Sequence, residues 1–214
     1  MLAVQKPDLK QILPYLPDAV SDIILSLNER QLRDLQEIRL RSDRPLSLRI
    51  GGREERFALI ISTEYLQQSL RLLSANSFYA MEEQPKNGFI TLAGGHRAGL
   101  VGRAVLKEGK IATLTDISGI NLRLARFVKG AAGEVKPYLY EKGELLSTLI
   151  VSPPGAGKTT VLRDLAYCLP HTVSVVDERG ELAGSFNGRH SLPLGEGVDV
   201  LDGCPKAEGI NLLL

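Results

Sequence analysis

Cysteine and histidine are scarce in this chain of 214 residues. It contains 2 cysteines, Cys168 and Cys204, and 3 histidines. The cysteines form no C-x-x-C pair, and so few thiol and imidazole groups argue against a disulfide framework or a metal site. We therefore expect a protein of the reducing cytosol.

Long apolar runs and a strong net charge are also absent. No run approaches the roughly 20 residues that span a bilayer, and the N-terminal stretch lacks the basic start and apolar centre of a signal peptide. The formal net charge is +1, and no stripe of basic and aromatic residues is evident, so we expect no nucleic-acid partner. The length suits one large or two small domains.

The most informative stretch runs from Ser147 to Asp164 and reads STLIVSPPGAGKTTVLRD. An apolar run at 149–151 precedes a turn rich in proline and glycine, and an amphipathic segment begins at Lys158. This order predicts strand, loop and helix, the context of the P-loop pattern G-x-x-x-x-G-K-[ST]. Ser152 replaces the first glycine of that pattern. An ordinary glycine-rich turn between a strand and a helix is the alternative interpretation.

The residue types of this loop suit the binding of ATP and Mg²⁺. Gly155 and Gly157 allow the backbone to curve around phosphate with its N–H groups inward. Lys158 supplies a positive charge to the β and γ phosphates, and the Thr159 hydroxyl is suited to hold Mg²⁺. The predicted nucleotide-binding residues are Ser152, Pro153, Pro154, Gly155, Ala156, Gly157, Lys158, Thr159 and Thr160.

A second candidate feature is the apolar run 173–176, which ends in Asp177 and Glu178. Acids at the carboxyl end of a strand hold Mg²⁺ or polarise the attacking water in many P-loop proteins. We therefore predict Glu178, Asp177 and Lys158 as catalytic residues, without deciding which acid is the base. The alternative is that both acids cap the strand end and pair with Arg179.

Arginines from another domain or subunit often contact the γ-phosphate in oligomeric ATPases. The candidates for this role are Arg97, Arg103, Arg123 and Arg126, and for each of them a surface or salt-bridge role is the alternative. His96, which follows two glycines, is expected to be a structural turn residue. Arg189 and His190 lie in a glycine-rich segment, 183–200, that we expect to be a long functional loop.

Periodicity predicts an N-terminal α+β domain at 1–130 with a mixed or antiparallel sheet. Residues 1–17 are expected to form a loosely packed helix or arm, and 18–35 to be helical with a split near Asn28. Further elements are predicted from alternation and helical spacing. They are strands at 37–41, 46–50, 56–61, 89–93, 98–106 and 111–114, an alternating segment at 116–128, and helices at 63–75 and 78–87.

A hinge or linker is predicted at 131–146, where glycines at 130 and 133 begin the segment and a short helix follows at 134–140. The remaining residues, 147–214, are predicted to form a P-loop ATPase core. Its helix from Lys158 must stop by Pro170, a strand follows at 172–176, and a last helix begins after Cys204.

Three stretches of this second region resemble the stage III sporulation protein AA family: SPPGAGKTTVLRDLA, VVDERGELAG and DVLDGCPKAEGI. EIRLRSDRPLSLRI, GFITLAGGHRAGLVGRAVL and TDISGINLRLAR resemble the same family, so the likeness covers nearly the whole chain. The resemblance implies an α/β protein whose N-terminal α+β domain precedes a RecA-like P-loop domain. Family members continue past the DGCPKAEG motif to a further acidic strand. We therefore expect a C-terminally incomplete ATPase core that hydrolyses nucleotide slowly or not at all.

The family is similar to hexameric secretion and pilus ATPases. The resemblance implies a cytoplasmic protein, peripheral at the inner face of the membrane, that energises or assembles the channel between mother cell and forespore. Its implied partners are ATP with Mg²⁺, membrane-embedded channel components and further copies of itself. An assembly module that uses nucleotide only as a switch is the alternative. A nucleic-acid-dependent ATPase lacks support from the charge distribution.

Overall fold

The computed structural model describes residues 3–75, 89–153, 155–170, 172–186 and 188–214. The chain divides into two compact units, Lys6–Ala125 and the combination of Met1–Gln5 with Arg126–Leu214. The domain limits expected from sequence, 1–130, 131–146 and 147–214, stay a prediction. The helix predicted at 78–87 lies outside the described residues.

An antiparallel sheet of six strands forms the centre of the unit Lys6–Ala125. In chain order its strands are β1 (Leu35–Arg41), β2 (Arg44–Ile50), β3 (Arg53–Ile61), β4 (Phe89–Thr91), β5 (Arg97–Lys107) and β6 (Lys110–Arg123). They lie side by side in the order β3-β2-β1-β6-β5-β4. This arrangement confirms the predicted α/β class and, for this unit, the antiparallel sheet.

Tight turns join β2 to β3 and β5 to β6, as the sequence signals predict. Gly51 and Gly52 have φ of 55° and 83°, and Glu108 and Gly109 have φ of 53° and 74°. Positive φ at both central residues gives a turn whose twist matches that of the flanking strands. Strand β6 is longer than expected, because the alternating segment that begins at residue 116 continues it as far as Arg123.

Helices α1 (Asp18–Leu25) and α2 (Glu29–Asp34) confirm the predicted split near Asn28. The Asn28 side chain accepts a hydrogen bond from the Gln31 amide at 2.9 Å, and the Gln31 side chain accepts one from the Asn28 amide at 3.2 Å. This reciprocal capping box starts α2 and separates it from α1. Helix α3 (Thr63–Ala75) also lies where the sequence predicts it.

The core of this unit includes the N-terminal segment, which the sequence analysis expected to be loosely packed. That expectation is wrong. Two 3₁₀ turns, Leu9–Gln11 and Leu13–Tyr15, bury Ile12, Tyr15 and Leu16. The prolines of this stretch shorten its helical turns, but its apolar residues still gain from burial against the sheet.

His96 lies in the interior of the same unit, at the end of the 3₁₀ turn Ala93–Gly95. Its Nδ1 accepts a hydrogen bond from the Ala125 amide at 2.9 Å, so the proton of the neutral ring resides on Nε2. Burial lowers the pKa of His96 from 6.5 to about 4, and the negative charge of Asp8 partly opposes this. His96 is therefore a neutral structural residue, as expected.

The second unit contains helix α4 (Lys158–Cys168), strands β7 (Val173–Asp177) and β8 (Val198–Asp202), and helix α5 (Lys206–Leu213). Strands β7 and β8 are parallel and in register, with Asp177 beside Asp202 at their carboxyl ends. A 3₁₀ turn covers Lys136–Leu139. Three short antiparallel pairs complete the unit: Ala3–Val4 with Val128–Lys129, Tyr140–Glu141 with Glu144–Leu145, and Ser185–Phe186 with Arg189–His190. No helix within the described ranges is long and apolar enough to cross a membrane.

Two sequence predictions in this unit are wrong. Residues 149–151 form no strand, and Leu149 is 86% exposed. An apolar run becomes a strand only when another strand pairs with it, and in the described part of this unit β7 and β8 pair with each other alone. Segment 183–200 is not one long loop, since it contains a short hairpin and the start of β8.

The burial of neutral His96 predicts a loss of stability as the pH falls. The unfolded chain takes up a proton near pH 6.5, while the folded chain does so only near pH 4, so acid favours unfolding between these values. From about pH 7.5 to about pH 5 we expect a loss of about 2 kcal/mol in the free energy of unfolding from this residue.

Urea unfolding of the wild type and of a His96→Gln variant at both pH values measures this loss. The pH-dependent change should be smaller in the variant by about 2 kcal/mol. NMR titration of the folded chain provides a direct check, because it has only 3 histidines. A His96 resonance that titrates near its ordinary value would contradict the expectation.

Candidate functional site

The loop before helix α4 turns at two glycines and leaves open space beside them. Gly155 and Gly157 have φ of 78° and 92°, a left-handed conformation that glycine adopts without strain. Apart from chain neighbours, no described atom lies within 4 Å of where a Cβ would stand on either residue. Gly157 is the N-cap of α4, so the amides of the first helical turn adjoin this open space. Pro154, also a predicted binding residue, lies outside the described residues.

Lys158 closes this loop on itself. Its Nζ donates hydrogen bonds to the carbonyl oxygens of Ser152 at 2.6 Å and Pro153 at 3.0 Å, and to Ser152 Oγ at 3.2 Å. The ammonium group is thus held at the start of the loop by hydrogen bonds to backbone carbonyl oxygens. Ser152, which replaces a glycine of the P-loop pattern, contributes its hydroxyl to this arrangement.

The first hydroxyl of the helix, on Thr159, contacts an acidic residue. Thr159 Oγ1 donates to Glu181 Oε2 at 3.4 Å. A hydroxyl and a carboxylate side by side at the start of a helix are oxygen ligands of the kind that Mg²⁺ takes. Thr160, the next residue of the loop motif, lies in the same first turn of α4. Glu181 is not among the site residues predicted from the sequence.

Asp177 is buried and accepts hydrogen bonds from the turn that carries Glu181. Its Oδ1 accepts from the Glu181 amide at 2.8 Å, and its Oδ2 accepts from the amides of Leu182 at 2.8 Å and Ala183 at 2.9 Å. Only 3% of Asp177 is exposed. The carboxylate therefore stabilises the turn after β7, with each of its oxygens already hydrogen-bonded to backbone.

Arg163, from the buried side of α4, holds the same turn from the opposite direction. Its Nε donates to the Leu182 carbonyl at 3.1 Å, and its two terminal nitrogens donate to the carbonyls of Arg126 and Glu181. Burial lowers the pKa of the Arg163 guanidinium, and the charges of Asp177 and Glu181 counteract this effect. Helix α4 and the turn that carries Glu181 are thus linked by hydrogen bonds from the buried Arg163 guanidinium.

Glu178, the other predicted catalytic acid, makes a different contact. Its carboxylate pairs with Lys206 at the start of α5, and this hydrogen bond, with the Lys206 charge, holds the pKa of Glu178 below its ordinary value. Asp177 and Glu178 are adjacent in sequence, but their side chains make different contacts. The Asp177 carboxylate binds amides of the turn, and the Glu178 carboxylate binds Lys206 of α5. The charge of Arg179 also lowers the pKa of Glu178, by less than the contacts with Lys206 do.

A further carboxylate on α4 holds the first residues of the predicted hinge. Asp164 Oδ1 accepts from the Gly130 amide at 3.0 Å, and Oδ2 accepts from the Ala132 amide at 2.8 Å. Both Asp164 and Ala132 are buried, and Ala132 packs with Leu139 and Leu165. A hinge motion at residues 130–132 would therefore have to carry α4 along or break these bonds.

The predicted arginine candidates lie in ordinary surface contacts within their own units. Arg97 stacks over the Phe89 ring at 4.7 Å, and Arg103 pairs with Asp116 at 3.5 Å. Arg123 pairs with Glu37 at 3.5 Å. In the second unit, His190 Nδ1 lies 3.0 Å from Ser185 Oγ in the short hairpin. For Arg97, Arg103 and Arg123 these contacts correspond to the surface or salt-bridge alternative.

The sequence profile of the family described as "Sporulation stage III, protein AA" matches residues 6–214. The chain belongs to this family. Stage III sporulation protein AA of Bacillus subtilis (strain 168) is 38% identical over 214 residues, an alignment that covers 96% of this chain and 69% of that protein. The resemblance identified from the sequence motifs is thereby confirmed.

Solved structures with some similarity include two ATPases. The DotB ATPase of Legionella pneumophila has a TM-score of 0.46 and 15% identity, covering 92% of this chain and 55% of that one. The VirB11 ATPase of the Brucella suis type IV secretion system, in complex with sulphate, has a TM-score of 0.32 and 12% identity. It covers 91% of this chain and 64% of that one. This chain thus spans less than two thirds of either structure.

The contacts of Asp177 predict a large loss of stability in an Asp177→Asn variant. An amide in place of the carboxylate removes the charge that binds three backbone N–H groups and that balances Arg163. We expect the free energy of unfolding to fall by about 3 kcal/mol. Amide hydrogen exchange at Leu182 and Ala183 should become faster by about a hundredfold, because the turn opens more often.

Asp202→Asn is the matched control, because Asp202 is the exposed register neighbour of Asp177 on β8. We expect its unfolding free energy to stay within about 0.5 kcal/mol of the wild type. Equal losses in the two variants, measured by urea unfolding, would show that the three hydrogen bonds do not have the assigned importance.

Proposed function

We propose that this chain is a P-loop ATPase of RecA-like fold that serves the channel complex between mother cell and forespore during sporulation. The contact between Thr159 and Glu181, beside the loop glycines and Lys158, is the observation on which this proposal rests. Membership of the stage III sporulation protein AA family supports the cellular process. In this proposal the protein is cytoplasmic, peripheral at the inner membrane face, and works as a homo-oligomer, a hexamer.

The loop residues Ser152 to Thr160 bind the phosphates of ATP. Backbone amides around Gly155 and Gly157 point at phosphate oxygens, and the Lys158 ammonium exchanges its loop carbonyls for the β and γ phosphates. Thr159 Oγ1 and the Glu181 carboxylate are the groups that would hold Mg²⁺. When bound, the ion neutralises the charge that develops on the transferred phosphoryl group.

Among the acids, Glu181 is assigned to the attacking water and the metal. The Asp177 carboxylate is engaged with three amides, so its proposed role is to position Glu181. Glu178 pairs with Lys206 and is the competing candidate for the base. Lys158 stabilises negative charge in the transition state.

The first test is calorimetric titration of the chain with Mg·ATP. Lys158→Ala should weaken binding by about tenfold to a hundredfold, because a charge-assisted contact to phosphate is lost. Lys110→Ala, an exposed lysine on β6, should leave the affinity unchanged. Equal affinities in all three proteins would refute the P-loop assignment.

The second test separates Glu181 from Glu178. Glu181→Gln should lower the rate of phosphate release by about a hundredfold or more and reduce the gain in ATP affinity that Mg²⁺ provides. Glu178→Gln should change both by less than about threefold, with any loss confined to stability through Lys206. The reverse pattern would assign catalysis to Glu178. The comparison of ATP affinity with and without Mg²⁺ needs no turnover.

An assembly module switched by nucleotide is the second candidate function. The buried link between α4 and the turn 178–183 favours it, because nucleotide at the start of α4 would reposition that turn without hydrolysis. In a spore-forming host, Glu181→Gln distinguishes the two functions. Spore formation that persists without turnover supports the switch, and spore formation that fails while ATP binding is intact supports the motor.

A further inference from the structure

The face of the antiparallel sheet that turns away from the hydrophobic core is rich in arginine. Residues 37, 39 and 41 of β1 lie on this face, because Ile38 and Leu40 between them are fully buried. The strand register places further residues beside them on β2, β3, β5 and β6. The arginines at these positions are Arg39, Arg41, Arg49, Arg56, Arg97 and Arg123.

The carboxylates described on this face, Glu37 and Glu54, are each shared between two arginines. Glu37 contacts Arg39 at 2.5 Å and Arg123 at 3.5 Å. Glu54 contacts Arg39 at 3.1 Å and Arg56 at 3.3 Å. Sharing leaves an excess of positive charge on the face, so an anionic ligand would meet a favourable field.

One end of this face is hollow. Gly119 of β6 has no side chain and lies between Arg41 and Val101 in the strand register. A groove of about 410 Å³ results, with Ser118 beside Gly119 and with Arg39, Arg41 and Arg44 on its walls. This volume is in the range of pockets that hold small molecules. The groove lies within the unit Lys6–Ala125 and shares no residue with the nucleotide loop.

The three arginines of the groove differ in how they are held. Arg39 is fixed by Glu37 and Glu54, and its side chain is only 19% exposed. Arg41 and Arg44 are exposed on either side of the turn at Ser42 and Asp43. A planar guanidinium presents paired N–H groups that match the oxygens of a phosphate. Arg39 is thus held in place by its two carboxylate partners, while the exposed guanidinium groups of Arg41 and Arg44 can donate hydrogen bonds to a ligand.

A buried acceptor in the same groove calls for a donor. The side-chain oxygen of Asn121, which lies opposite Arg39 on β6, is buried and has no hydrogen-bond partner in the described part of the chain. A buried carbonyl oxygen without a donor costs roughly 1–3 kcal/mol, and a ligand hydroxyl would remove that cost. The groove therefore offers cationic donors and a neutral acceptor together.

We propose that this groove binds a small phosphate ester that carries a hydroxyl group. The phosphate lies between Arg41 and Arg44, and the hydroxyl donates to the Asn121 side-chain oxygen. Glycerol phosphate has this chemistry, either as a free metabolite or as the headgroup of phosphatidylglycerol. No bond forms or breaks in the ligand.

NMR titration of the full chain with sn-glycerol 3-phosphate tests the proposal, with the amides of Ser118, Gly119 and Asn121 as reporters. Because the signals are specific to these residues, binding of phosphate at the nucleotide loop does not interfere. We expect saturable shifts at these amides, and affinity at least about tenfold weaker in the double variant Arg41→Gln/Arg44→Gln. The matched control, Arg30→Gln/Arg53→Gln, removes equal charge from exposed positions outside the groove and should bind as the wild type does.

The hydroxyl contact is tested by inorganic phosphate and by Asn121→Ala. The wild type should bind sn-glycerol 3-phosphate several-fold more tightly than inorganic phosphate, and the variant should lose this preference. Equal binding of the two ligands by the wild type would overturn the assignment of Asn121. An absence of shifts at the three amides, or shifts of equal midpoint in the arginine double variant, would overturn the site itself.

Vesicles distinguish the two sources of the ester. If flotation with phosphatidylglycerol vesicles depends on Arg41 and Arg44, and phosphatidylcholine vesicles bind nothing, the headgroup is the source. Shifts with the free ester but no vesicle binding identify a soluble metabolite, and either result supports the shared chemistry. An acidic peptide such as oligoglutamate that produces the same shifts with equal affinity would overturn the proposal in favour of protein docking.

Discussion

The arrangement of the candidate site depends on the buried carboxylate of Asp177. It lies at the end of β7 and binds the amides of Glu181, Leu182 and Ala183. These three bonds decide where the chain goes after the strand, and therefore where the Glu181 side chain lies. Arg163 completes the arrangement by binding the carbonyls of the same turn from α4. The opposite charges of the two buried groups attract each other, and each group is held in place by hydrogen bonds to the backbone of this turn.

This polar centre explains how two short elements form a site with few apolar contacts. In the second unit the cluster of buried apolar residues consists of Ala132, Leu139 and Leu165. Hydrogen bonds to buried ions are directional, whereas apolar contacts are not. The orientation of the acidic turn relative to the start of α4 is thus set by geometry rather than by the amount of buried surface. The N-terminal unit is the opposite case, because its sheet and helices share an extensive apolar core.

Local patterns predicted most of the fold, and they failed where tertiary contacts decide. The turn glycines at 51 and 52 and the cap at Asn28 act over a few residues, so they could be recognised in the sequence. The strand expected at 149–151 depends on a distant partner, which no local pattern reveals. In the site, the loop motif was evident in the sequence. Glu181 was not predicted, because an apolar strand that ends in two acids indicates Asp177 and Glu178 instead. Three backbone amides of the following turn donate hydrogen bonds to the Asp177 carboxylate. The sequence does not reveal these bonds, whereas the three-dimensional structure does.

The two bonds from Asp164 to Gly130 and Ala132 have a mechanical consequence. Helix α4 begins at the glycine loop, and Asp164 lies on it within two turns of that loop. If the helix moves as a rigid body, these two hydrogen bonds therefore carry the backbone at 130–132 with it. Since Lys136 also binds the last turn of α4 through the Cys168 carbonyl, the helix is fastened at two levels along its length. Residues 130–136 are therefore expected to move together with α4, and any hinge must lie outside this segment.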